Sequence, residues 1–269
     1  MHRVIMDSSV CINAVRGKIT SHEWECLCSC LTRKFSYFVS PLTFIELIIG
    51  LGRGDDGYYH QNLDAIRALL RPGDRFLKFP GHFVLDRVFG DPREKPDFEP
   101  RDFSEWASIL LNAASKQQVC DGEVDLAKLS RSLTFGFDFD KVIRSQLEGQ
   151  IAHVRAYESM RASRRRRTSE DWVNSFLKNF KVELTDHNRA KLSTALDATL
   201  TFSSSLCDLA LDGNYNFEKH KNDWVDGQQL YYLADPQLYI VTLDGPLKDG
   251  IKSSSQSGRV VSPSELLCC

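Results

Sequence analysis

Val4-Ile5-Met6-Asp7-Ser8-Ser9-Val10, near one end of the chain, and Tyr239-Ile240-Val241-Thr242-Leu243-Asp244, near the other, decide the fold. Each is a short apolar run that closes on hydroxyl residues and an acid. Such runs read as strands buried on both faces, and strands of that kind belong to parallel sheets. Ligands of an open parallel sheet bind beyond the carboxyl ends of its strands. Asp7 and Asp244 are therefore expected to face one polar crevice.

Working outward, residues 2–6 and 238–242 read as strands and 8–16 as a short helix. Thr20-Ser21-His22-Glu23 has the spacing of a capping box and starts a second helix. Phe35 to Val39 alternates aromatic and polar residues and reads as a strand, and Pro41 opens a helix to about Gly52. Helical patterns follow from Tyr58 to Leu70 and, beyond a proline-rich charged loop at 91–100, around 103–118, 124–133, 138–160, 169–180 and 187–211. From Asn222 a helix to about Leu233, the strand at 238–242 and a last strand at 259–261 restore the α/β pattern. Ser262-Pro263-Ser264-Glu265 then opens a final helix with a capping box and proline at its first position. The expected architecture is a three-layer α/β/α core with a mainly parallel central sheet. Residues 1–60 and 216–269 form its two parts, and 61–215 form a large, mostly helical insertion, some of whose helices are free to complete the core.

At 269 residues and 42% hydrophobic content the chain is long enough to bury a substantial core. A net charge of −2 gives no global attraction to polyanions, so any nucleic-acid binding must come from local patches. Of eight cysteines, Cys26, Cys28 and Cys30 alternate, which is not the C-x2-C spacing of a zinc site. The expectation is free thiols in a reducing cytoplasm. No signal peptide is expected, and no stretch approaches the roughly eighteen apolar residues of a membrane span.

Two further acids occupy positions that suit the same crevice. Glu46 lies in Ser40-Pro41-Leu42-Thr43-Phe44-Ile45-Glu46, near a helix start, and Asp226 lies in Asp223-Trp224-Val225-Asp226, at the start of a later helix. Each acid also has a plain structural reading. Asp7 suits a helix cap, Thr43 to Glu46 has capping-box spacing, Asp223 suits a cap with Asp226 three residues on, and Asp244-Gly245 is a common turn pair. Those readings explain each acid separately and leave their joint placement unexplained. Four clustered carboxylates repel unless protonated or bridged by cations, and the chemistry that uses them is a divalent-metal site. Phosphodiester hydrolysis needs a water placed in line with the leaving oxygen and charge offset on the phosphoryl oxygens, which Mg²⁺ or Mn²⁺ supplies through oxygen ligands. No histidine or cysteine falls within the four motifs apart from Cys11 just beyond the first, which favours these ions over zinc. The four carboxylates are expected to lie a few ångströms apart, with Asp223 at the rim.

Taken in order, VIMDSSV (4–10), SPLTFIELIIG (40–50), NDWVDGQQLYYLA (222–234), YIVTLD (239–244) and RVVSPSEL (259–266) resemble the PIN-domain nucleases, metal-dependent enzymes that mostly cleave RNA. The resemblance covers roughly 1–55 and 216–269. It implies a PIN-like core and an endoribonuclease in which Asp7, Glu46, Asp226 and Asp244 are catalytic. Asp7, Asp226, Asp244 and Asp223 would hold Mg²⁺ or Mn²⁺, with Ser8, Ser9, Thr43 and Thr242 as supporting hydroxyls. It also implies RNA as partner, with single-stranded DNA as the second substrate class. A separate protein or antitoxin-like regulator is a further class of partner, since short bacterial members are often toxins held by an antitoxin, although this chain is much longer than those.

Arg161, Arg164, Arg165, Arg166 and Arg167 form the one strong basic run. It reads either as a solvated helix end or as a contact to the RNA backbone made by Arg164, Arg165, Arg166 and Arg167, with Arg53 in a similar role. Other classes compete. A phosphatase of the haloacid dehalogenase type needs a second Asp where Ser9 stands, and a P-loop NTPase needs a G-x-x-x-x-G-K-[ST] loop that the sequence lacks. A PIN-like module that binds RNA or protein without cutting has no chemical use for four clustered acids. A structure-specific DNA nuclease, with a helical arch in the insertion, is the remaining alternative.

Overall fold

Arg3–Met6 (β1), Ser36–Tyr37 (β2), Leu238–Val241 (β3) and Val260–Val261 (β4) form one all-parallel sheet in the order β2-β1-β3-β4. The computed structural model describes residues 1–52, 56–90, 100–112, 162–211 and 223–268. The chain runs from β1 to β2 on one side, then crosses back to place β3 and β4 on the other. The direction of winding therefore reverses between β1 and β3, where a parallel sheet opens a crevice at its carboxyl edge. Arg3 to Met6 pair residue for residue with Leu238 to Val241, so both strands end level.

Successive strand residues point to opposite faces, and each face is covered. Val4, Met6, Val241 and Val261 point one way. They meet Val10 of Ser8–Val15 (α1), Leu27 and Leu31 of Ser21–Arg33 (α2), Phe44 and Leu47 of Pro41–Gly52 (α3) and Leu63 and Ile66 of Asp56–Leu70 (α4). Ile5, Leu238, Ile240 and Val260 point the other way, against Phe83 of Pro80–Phe89 (α5) and against Tyr232 and Leu233 of a 3-10 turn at Leu230–Ala234. Sheet and flanking helices thus make three layers, which is why Val4 to Met6 and the residues of β3 and β4 form nearly continuous apolar runs.

The rest of the helices add to these layers. Pro100–Asn112 (α6) inserts Phe103 and Leu110 into the first core. Ala162–Asn179 (α7) and Asp186–Ala195 (α8) bury Val173, Phe176, Leu177 and Leu192 against the outer side of α5. Asp197–Leu211 (α9) sends Ala198 and Phe202 into the second core. Asp223–Gln229 (α10) runs into the 3-10 turn, Gly245–Gly250 (α11) follows β3, and Pro263–Leu267 (α12) closes the chain.

Several expected boundaries move. The strand expected at 35–39 pairs with β1 over two residues, and Val39 instead bridges Phe76. The single helix expected at 187–211 is two helices broken at Leu196, and the cause is distant in sequence. The Gln256 side chain accepts from the Ala198 amide (2.9 Å) at the start of α9 and donates to Ala195 O (3.0 Å) at the end of α8. Helix α5 is not among the helices expected above, although Pro80 at its start and left-handed Gly90 (φ 74°) just past its end are ordinary helix signals. The capping boxes at Thr20 and Ser262 both form. Helices expected at 124–133 and 138–160 lie outside the described residues. Cys11, Cys26, Cys28, Cys30, Cys207 and Cys268 are free thiols, and among the described residues no helix is long and apolar enough to cross a membrane.

Candidate active site

Asp7 leaves β1 at the reversal point. Its amide donates to Val241 O (2.9 Å), which sets it directly beside the end of β3. The side chain is 4% exposed and caps α1 by accepting from the Ser9 amide at 3.3 Å. Two hydroxyls reach the same carboxylate oxygen: Ser9 Oγ donates to Oδ2 at 2.5 Å and Thr242 Oγ1 at 2.9 Å. These hydroxyls in turn accept backbone amides of the loop after β3, Leu243 N on Ser9 Oγ (3.0 Å) and Asp244 N on Thr242 Oγ1 (2.9 Å). Asp244 caps α11, its Oδ1 accepting from Leu247 N at 2.7 Å. The supporting hydroxyls named in the sequence therefore tie the two strand ends into one hydrogen-bonded unit.

Glu46 lies in the second turn of α3. The capping-box reading of Thr43 to Glu46 is not realised, because α3 already starts at Pro41 and Thr43 is inside it. The Thr43 hydroxyl instead donates to Met6 O at 3.2 Å, fastening α3 to the end of β1. Glu46 accepts a hydrogen bond from the Ser8 side chain. Asp223 and Asp226 both stand in the first turn of α10, facing the positive end of a short helix.

The charges of these acids act on one another. Burial pushes the Asp7 carboxyl above its ordinary value, the Ser9 and Thr242 hydroxyls pull it back, and the charge of Asp244 adds to the rise. Burial is also the first cause at Glu46, reinforced by Asp7 and, more weakly, by Asp244, and its pKa stands at about 7. Asp226 is raised well above the carboxylate range by burial and then by Asp7, Glu46, Asp244 and Asp223. Burial and neighbouring carboxylates raise these three acids, and the hydrogen bonds of Ser8, Ser9 and Thr242 oppose the rise at Glu46 and Asp7. A cap accounts for one oxygen of Asp7 and one of Asp244. It does not account for Glu46 and Asp226, half-buried and raised by the charges of Asp7 and Asp244.

The donor set is all oxygen, which suits a hard divalent cation. The expectation that the carboxylates lie close enough to share one ion directly is not met, since no three His, Cys, Asp or Glu side chains among the described residues are arranged to ligate one ion. One oxygen of Asp7 is engaged by Ser9 and Thr242, and one of Asp244 by the amide of Leu247. What the arrangement fits is a cation that keeps most of its waters, which Mg²⁺ does, bound through one or two carboxylates and reaching the others through water.

One residue of this region escapes sequence reading. Gln229, 1% exposed and one helical turn beyond Asp226, donates from Nε2 to Thr43 Oγ1 at 2.5 Å. A polar residue three places after an acid, ahead of the apolar run Leu230 to Leu233, is the only sequence signal it leaves.

The basic run is placed by its backbone alone. Arg164, Arg165, Arg166 and Arg167 lie in the first turns of α7, where the helix is described and the side chains are not. The solvated-helix-end reading of these four arginines has the right element under it. Their expected contact to nucleic acid, for Arg164, Arg165, Arg166 and Arg167 alike, concerns side chains that lie outside the description. Arg53 and Arg161 lie outside the described residues altogether. Comparison of the chain with protein-family models, with curated proteins and with solved structures finds no match.

Proposed function

We propose that this protein is a Mg²⁺- or Mn²⁺-dependent phosphodiester hydrolase acting on RNA, with its site at the acidic mouth between β1 and β3. The observation that carries the reading is the buried Asp7 with the half-buried Glu46 and Asp226, both raised by burial and by the charges of Asp7 and Asp244, at the reversal point of a parallel sheet. Acids held in that state are relieved by a cation. The order of the motifs and their resemblance to the PIN nucleases give the reaction class and RNA as the substrate, and the α/β/α core agrees with that resemblance.

Asp7, Asp226 and Asp244 would hold the ion, one or two of them directly and the rest through its waters, with Asp223 at the rim and Glu46 as the further acid. When bound, such an ion supplies an activated water and offsets charge on the phosphoryl oxygens. The chain's own residues orient and restrain. Ser9 and Thr242 fix the Asp7 carboxylate in one rotamer, and Ser8 does the same for Glu46. Arg164, Arg165, Arg166 and Arg167 on α7 would supply a salt-sensitive attachment for the phosphate backbone that the acidic mouth itself repels.

The test is cleavage of mixed RNA and single-stranded DNA with Mn²⁺, with Mg²⁺ and with EDTA, comparing wild type with Asp7→Asn. Cation-dependent cleavage of RNA by the wild type, reduced to background in Asp7→Asn, is the expected result. Cleavage at an undiminished rate by the variant would overturn the mechanism, cleavage of DNA alone would overturn the substrate, and no cleavage with tight RNA binding would make the protein a binding module.

A further inference from the structure

One hydrogen-bonded chain lies beneath three of the acids with a regular offset. Met6 immediately precedes Asp7, Thr43 precedes Glu46 by three residues on α3, and Gln229 follows Asp226 by three on α10. The Thr43 hydroxyl donates to Met6 O (3.2 Å), and Gln229 Nε2 donates to Thr43 Oγ1 (2.5 Å). Thr43 is fully buried and Gln229 nearly so. Each acid-bearing element is thus tied to the next about one helical turn, or one residue, from its carboxylate. We infer that Thr43 and Gln229 are positioning residues that hold α3 and α10 against the end of β1, so that Glu46 and Asp226 stay beside Asp7 in spite of their mutual repulsion.

The inference rests on the acidic mouth being the working site, and it adds what keeps that mouth assembled before any cation binds. Like charges brought together separate unless something restrains the elements that carry them. Helix α10 packs on Phe202 of α9 through Gly227, and the Gln229 bond adds a tie to α3 one turn beyond Asp226. The geometry also fixes the direction of the bonds. A hydroxyl has a single proton, so with Thr43 donating to Met6 O the amide must turn its nitrogen to Thr43. Gln229 Oε1 is then left buried with no hydrogen-bond partner among the described residues. An amide chosen for stability alone would be a poor choice at a place that orphans its oxygen. One that must bridge two helices at a set distance is a good one.

The experiment is a thermal cycle without metal, followed by Mn²⁺ binding to the intact protein. In EDTA, Asp226→Asn relieves repulsion and raises the Tm of the wild type. In a Thr43→Val background, where the acids are free to separate, the same substitution is expected to give a much smaller rise, and in a Thr43→Ser background the full rise. Gln229→Met provides the same comparison if Thr43→Val does not fold. Equal rises in the tied and untied backgrounds would overturn the proposal. Mn²⁺ affinity, read by electron paramagnetic resonance, should fall about 10–100-fold in Thr43→Val and Gln229→Met and recover in Thr43→Ser. Unchanged affinity in a wild type that binds Mn²⁺ would also overturn it. A wild type that binds no Mn²⁺ removes the metal-dependent reading, and the thermal cycle still decides the positioning role.

Discussion

Asp7 does two jobs with one side chain, and the two respond differently to substitution. As a cap it needs an acceptor oxygen for the Ser9 amide and the hydroxyls of Ser9 and Thr242. As a member of the acidic mouth it needs charge. Asn caps a helix about as well as Asp, whereas Ala supplies no acceptor. Asp7→Asn should therefore keep the cap, remove one repelling charge and leave the Tm at or above the wild-type value. Asp7→Ala should lose the cap and leave the buried Thr242 hydroxyl and the half-buried Ser9 hydroxyl without their acceptor, at a cost of about 0.5–2 kcal/mol for the cap alone. Thermal melts of the two variants check this. Equal destabilisation by both would mean that Asp7 is held by its charge, for instance through an ion pair, and not by its hydrogen bonds. Ser9 and Thr242 are readable from sequence as partners of Asp7 because the strand ends that carry them are themselves readable. The Ser8 contact to Glu46 and the Thr43 contact to Met6 O need the packing of α3 on β1, which local pattern does not contain.

Elements meet tightly where small residues allow it, and Phe202 on α9 shows how differently two glycines bear on that. Its ring lies against both α10 and α11. A methyl group added at Gly250 would stand 2.6 and 3.0 Å from the ring carbons Cδ2 and Cε2, while one added at Gly227 would stand at 3.5 and 3.8 Å from Cδ1 and Cε1. The ring is buried in the second core, beside Ala198 and Leu247, and cannot swing away freely. Gly250→Ala should overpack this contact and cost about 1–3 kcal/mol, whereas Gly227→Ala should be tolerated. Chemical denaturation of both variants decides it, and equal midpoints would mean that α11 shifts without resistance. Which elements form was legible where one residue run carries the whole signal. Val4 to Met6 of β1 and Leu238 to Val241 of β3 are apolar or aromatic throughout, and Thr20 and Ser262 cap helices through residues three places away. What was not legible depends on partners far along the chain. The break at Leu196 is held by Gln256, and the tie between α3 and α10 is a bond between Thr43 and Gln229. Periodicity reports which face of a helix is apolar, and it carries no record of a single buried amide supplied from elsewhere.

For the molecule as a whole, the acids make stability depend on pH and on cations although the net charge is only −2. The folded pKa of Glu46 is raised from 4.5 to about 7, and Asp7 and Asp226 are raised as well. A raised carboxyl means that the folded state keeps protons the unfolded chain has already released. By linkage, the stability from these groups is fully present below their unfolded values and is lost as pH rises through the folded ones, which for Glu46 means between about 4.5 and about 7. In EDTA the protein should therefore melt at a higher temperature near pH 5 than near pH 8. Burial penalises the ionised form first, and neighbouring carboxylates add to that penalty, so part of the slope belongs to each cause. A cation removes the second part and offsets the first. Saturating Mg²⁺ or Mn²⁺ should thus flatten the slope by stabilising the protein at pH 8 far more than at pH 5, by about 2.7 kcal/mol at a hundredfold excess over Kd. Glu46→Gln should flatten the EDTA slope without any cation. Differential scanning calorimetry at the two pH values, with EDTA and with each ion, measures all of this. A wild type whose melting temperature rises from pH 5 to pH 8 in EDTA would mean that these acids are ionised and satisfied in the folded state, and the case for a cation-dependent site would lose its physical basis.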